Sequence, residues 1–270
     1  SNTGSLNLSG GTLSKAVSGS GKTTISGNTT NSGGINQGVT VNSGVTLTNN
    51  AALGSDSGTI TNSGTITSNA GNIKGTVTNN NTLNLSGGTL SKAVSGSGTT
   101  NITGAVTSNS AISQAINVVA AGDLTINANN IGGAVTNAGD LILTGGTLTK
   151  GVTGAGTTSI TGAVTANSAI SQTISISSSG DLTANAGNIG GAVTNAGDLI
   201  LTGGTLSKAV SGAGLTTITG NTTNSAGINQ GVKVNSGITL TNNAALGSAS
   251  GSVTNAGTIN SSADNIKGTV

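Results

Sequence analysis

The sequence contains no cysteine, proline, methionine, histidine, arginine, glutamate or aromatic residue. Each absence removes a class of chemistry. Catalytic acids, bases, nucleophiles and metal ligands shrink to 6 aspartates, 8 lysines and the Ser and Thr hydroxyls, so no catalytic residue, metal site or cofactor is expected. No ring can stack on a base, and a net charge of +2 from scattered lysines neutralises few phosphates, which argues against nucleic acid as a partner. No apolar run approaches the roughly 20 residues of a membrane-spanning helix, so no membrane insertion is expected. The lack of cysteine suits a chain that crosses an envelope without being trapped by disulfides. The chain opens at Ser1 without a basic and apolar leader, so a secretion signal is expected to be removed or to lie outside this segment.

What is present is glycine, 47 of 270 residues, with Ser, Thr and Asn around a 33% apolar fraction. Charged residues make up only 5%. Disordered chains combine low hydrophobicity with high charge, Pro and Glu; here the aliphatics are regularly spaced and Pro is absent, which argues for a fold.

One phrase occurs at Leu6 to Gly27, Leu83 to Gly104, Leu141 to Gly162 and Leu199 to Gly220, and the last three copies are evenly spaced. A longer match relates Asn28–Val77 to Asn221–Val270 in the same register. Cuts after recurrent small-residue turns, such as Gly21, Gly44, Gly64, Asn81 and Gly98, give segments of a few recurring lengths, short ones such as Asp140–Gly156 and long ones such as Lys22–Gly44. The last segment joins the first across the termini: Asn265–Val270 followed by Ser1–Gly11 reads almost as Asn72–Gly88 does. The total closes at fourteen segments of about 19 residues, the size of one coil of a solenoid.

Within the short segments the aliphatics alternate and then break at Gly or Asn, as in Leu141, Leu143, Leu148 and Val152. A period of two interrupted by turn residues predicts short strands that turn corners. No helical stripe is sustained. The expected fold is all-β: one continuous, right-handed parallel β-helix (β-solenoid) over 1–270, of about fourteen coils and on the order of 65–70 Å long at about 4.8 Å per coil.

The phrases Gly58-Thr59-Ile60-Thr61-Asn62-Ser63-Gly64-Thr65-Ile66-Thr67 and Asn137-Ala138-Gly139-Asp140-Leu141-Ile142-Leu143 resemble the repeat regions of bacterial autotransporter passengers and related large surface adhesins. The likeness runs along the whole chain. It implies a parallel β-helix exported to the cell surface of a Gram-negative bacterium, where it meets a host or neighbouring-cell surface or matrix.

Several residues invite a functional reading. Ile266, Gly268, Val270, Ser1, Gly4 and Leu6 form the expected head-to-tail junction, where a second copy continues the ladder by strand addition. Gln37, Gln114, Gln172 and Gln230 fall in the longest segments and are candidates for contacts on a projecting coil, or for hydrogen bonds that close an enlarged corner. Ser14-Lys15, Ser91-Lys92 and Ser207-Lys208 have the form of a Ser/Lys dyad, but adjacent strand residues face opposite ways and the fourth copy holds Thr149-Lys150. Asp123 with Asp140, and Asp181 with Asp198, open consecutive segments and supply too few oxygens for Ca²⁺. Two exposed charges at about 5 Å repel in water by only about 0.8 kcal/mol, so such pairs are tolerated.

Thr-x-Thr triplets, among them Thr59-Ile60-Thr61 and Thr65-Ile66-Thr67, raise an ice-binding alternative. Against it, the first position of successive segments reads Ser5, Lys22, Val45, Thr65, Thr82, Thr99, Asp123, Asp140, a broken rank. The expectation is therefore a non-enzymatic, extracellular surface fibre or adhesin that stacks head to tail, covalently or as a homopolymer. The alternatives are a passive stalk with a separate adhesive tip, an ice-binding solenoid and an amyloid-like matrix protein.

Overall fold

A computed structural model describes all 270 residues, Ser1–Val270. It is all-β and parallel, wound as a β-solenoid of about 15 turns. The chain divides into two compact units: residues 1–126 with 130–139, and residues 127–129 with 140–270.

In the first unit, Ser5–Leu8, Val17–Ile25, Ile35–Val41, Thr59–Asn62 and Thr76–Asn79 pair in parallel as one row. A second row runs Gly11–Leu13, Thr29–Asn31, Thr46–Asn49, Thr65–Ser68, Thr82–Leu85, Thr99–Ile102, Ala115–Val118 and Val135–Asn137. The third side begins as single bridges, Ile35 to Leu53 to Ile73, and continues as Gly88–Leu90, Ala105–Ser108 and Asp123–Ile126. Such short strands suffice because the corners between them carry Gly or Asn.

The second unit has the same plan. One side is Asp140–Leu143, Thr157–Ile160, Thr173–Ile176 and Val193–Asn195. A second contains Gly146–Leu148, Ala163–Ala166, Asp181–Ala184 and Asp198–Leu201, and a third Gly204–Leu206, Thr222–Asn224, Thr239–Asn242 and Thr258–Ser261.

Alternation puts every second side chain inside. In the second row of the first unit one inward file reads Thr29, Leu47, Ile66, Leu83, Thr100, Ile116, Val135, all buried. The neighbouring file, Leu13, Asn31, Asn49, Ser68, Leu85, Ile102, Val118, Asn137, holds a polar run: Asn31 Nδ2 donates to Asn49 Oδ1 at 2.6 Å and Asn49 Nδ2 to Ser68 Oγ at 2.9 Å. These amides also reach the corner backbone, with Gly34 N–H donating to Asn31 Oδ1 at 2.9 Å. The second unit repeats the device, Asn224 Nδ2 donating to Asn242 Oδ1 at 2.7 Å. Buried amides thus satisfy the peptide groups that a sharp corner leaves unpaired.

The long segments expected as single coils are not single coils. Lys22 and Gly38 belong to one long segment, Lys22–Gly44, yet they are partners on adjacent turns, and Thr99 and Ala115 are paired across an equally short step. Steps elsewhere are longer, as between Val39 and Ile60. Each long segment holds a full turn and part of the next, because Gly38 and its equivalents lie within strands instead of at corners.

Candidate functional site

The junction residues lie in the first turn of the first unit and the last turn of the second, and each half has hydrogen bonds of the internal sequence it matches. In the interior, Asn79 Nδ2 donates to Asn81 O at 3.2 Å and Thr99 O at 3.1 Å. At the start of the chain, Asn2 Nδ2 donates to Gly4 O at 3.2 Å and Lys22 O at 3.3 Å, the corresponding atoms one period away. At the other end, Ile266 bridges Leu246 and Lys267 N–H donates to Leu246 O at 2.8 Å. This repeats Ile73 on Leu53, with Lys74 N–H on Leu53 O at 2.8 Å. What differs is cover. Val77 is 1% exposed and its match Val270 is 74% exposed. Leu83, Leu85 and Ile73 are buried, whereas Leu6, Leu8 and Ile266 are half-buried. Ser1 and Gly4 are exposed, and Gly268 is half-buried.

The glutamines do not project. Gln37, Gln114, Gln172 and Gln230 are all buried. Gln37, Gln114 and Gln230 donate through Nε2 to the hydroxyls of Thr23, Thr100 and Thr216 at 2.7, 2.7 and 2.8 Å. Thr158 donates to Gln172 Oε1 at 2.7 Å. Each bond ties a turn to the next across the place where the step between turns is shortest. The corner-closing reading is the one the geometry matches; the projecting-coil reading is overturned by burial. The Thr partners escape a reading of the sequence because single threonines inside apolar files leave no local signal. The one available signal is that the same Thr-to-Gln spacing recurs in all four copies.

Ser91 and Lys92 do not form a working pair. Lys92 Nζ instead bonds Asp56 Oδ1 at 2.7 Å, an exposed ion pair. That hydrogen bond and the Lys92 charge, with a smaller effect from Lys74, hold the Asp56 carboxyl below its usual range. Asp181 stacks in register on Asp198, and no group of three or more acidic side chains gathers anywhere in the molecule. Two open clefts beside the loops at Ser55–Thr59 and Ser250–Ser252 occupy matching places in the two units, but Lys22 lines the first where Leu215 lines the second. They share a place without sharing a chemistry.

The threonine ranks also differ from the expected register. Ser5 and Lys22 lie in the first row, while Thr65, Thr82 and Thr99 lie in the second. Thr65 is preceded by Thr46 and Thr99 is followed by Ala115, so the rank is four threonines long on one row. Comparison with family models, curated proteins and solved structures gives no match.

Proposed function

We propose that this chain is a structural, non-enzymatic β-solenoid of an extracellular bacterial fibre or adhesin, continued head to tail by further copies of the same repeat. The observation that carries the reading is the junction: Asn265–Val270 and Ser1–Gly11 match Asn72–Gly88 in sequence, and each half holds the hydrogen bonds of the matching interior turn. An interior turn buries Val77 and Leu83; continuation buries Val270 and Leu6 in the same way. Main-chain pairing supplies the affinity and aliphatic stacking the register. Ionisable groups are few, and the acidic ones include a stacked pair and one tied to lysine, which supports a scaffold over a catalyst. The surface location rests on the likeness in repeat style.

Electron microscopy and intact mass of the native material test this. Thin filaments of 25.2 kDa chains mean a homopolymer, and a single polypeptide many times larger means a tandem array. Compact dispersed particles overturn both.

A further inference from the structure

The second row of the first unit presents a two-dimensional lattice of neutral polar side chains. Its outward positions form two files. One is Thr46, Thr65, Thr82, Thr99; the other is Thr48, Thr67, Asn84, Asn101, Asn117, extended by Thr12 and Thr30 before it and Thr136 after it. In-register parallel pairing sets neighbours within a file about 4.8 Å apart, and two residues along a strand separate the files by about 6.6 Å. Both spacings are near those of oxygen atoms on a prism face of hexagonal ice. From this geometry we propose that the face is an ice-binding surface, a function separate from the scaffold role.

Three features favour an ordered water lattice over other occupants. The face is rigid: threonine is stiff at χ1, and Asn101 Nδ2 donates to Asn84 Oδ1 at 2.8 Å while Asn84 Nδ2 donates to Thr67 Oγ1 at 3.2 Å. Little side-chain entropy is left to lose on binding. The face is also neutral, since none of these side chains ionises, and charged groups would hold their own hydration shells in place of ice-like order. Finally, it offers neither the aromatic and Arg anchors that protein partners use nor an aromatic platform for sugar rings. An uncharged, hydroxyl-bearing repeat matches an uncharged, hydrogen-bonding repeat.

The test is thermal hysteresis and ice-crystal habit with the full chain, with Thr82→Tyr at the lattice centre, and with Thr107→Tyr on the third side, where Thr107 is equally outward. Circular dichroism establishes that both variants keep their strands; should Thr82→Tyr lose them, Thr48→Lys, at a more exposed place in the same lattice, takes its part. The expected result is faceted crystals and measurable hysteresis for the parent chain and for Thr107→Tyr, with most of the hysteresis lost in the lattice variant. Round crystals with no hysteresis in the parent overturn the proposal, as does hysteresis unchanged by the lattice substitution. Sedimentation with microcrystalline cellulose in the absence of any effect on ice overturns it in favour of a polysaccharide surface.

Discussion

At the scale of the residue, the chain depends on a few side chains and a few missing ones. A Cβ at Gly98 would run into the carbonyl oxygen of Asn81 on the preceding turn. Gly98→Ala is therefore expected to destabilise the first unit by roughly 1–3 kcal/mol, the usual range for overpacking, measured as a lowered midpoint of urea denaturation. Gln230→Leu leaves the Thr216 hydroxyl buried without its amide donor. A loss of about 1–3 kcal/mol is expected, and Thr216→Val in the same chain should recover part of it, because removing both polar partners costs less than removing one. Asp56 gives a pH dependence of defined sign. Its folded-state pKa is lowered by Lys92, so the stabilisation is present above the ordinary carboxylate range, about pH 4, and fades as pH falls through the folded-state value. Asp56→Asn should flatten that part of the stability profile: its small deficit relative to the parent chain is present at neutral pH and disappears once acid has protonated Asp56 in the parent.

At the scale of the element, the strands are too short to be stable alone and hold through stacking in register. Leu83→Ala opens a cavity between Ile66 and Thr100 and is expected to cost about 2–5 kcal/mol. Exposed Thr107→Ala should cost far less, and parallel denaturation curves of the two variants check the contrast. This scale also shows what the sequence could reveal. The alternation of Leu141 and Leu143 shows the inward face of their strand directly, because a period of two needs no long-range information. The turn boundaries in the long segments are hidden, since Gly38 and Gly231 look like corner glycines and lie within strands. Only the Thr–Gln bonds fix the shorter step, and a hydrogen bond between successive turns has no signature in local periodicity. The threonine lattice is hidden in the same way: Thr46 lies one residue after Val45, the first residue of its segment, so the file looks broken in the sequence.

At the scale of the whole molecule, the claim is that the solenoid register passes from one repeat into the next. Interior Thr82 N–H donates to Gly64 O at 3.2 Å and Ser86 N–H to Ser68 O at 3.0 Å, and the matching pairs across a junction are Ser5 with Gly257 and Ser9 with Ser261 of the preceding copy. A polypeptide of two copies joined directly, Val270 to Ser1, places those pairs within reach without relying on spontaneous assembly. Amide hydrogen exchange read separately in each copy gives the test, since protection reports whether a turn is formed and covered. The account predicts slow exchange at Ser5 and Ser9 of the second copy, comparable with Thr82 and Ser86, and fast exchange at the same residues of the first. Equally fast exchange in both copies would contradict it.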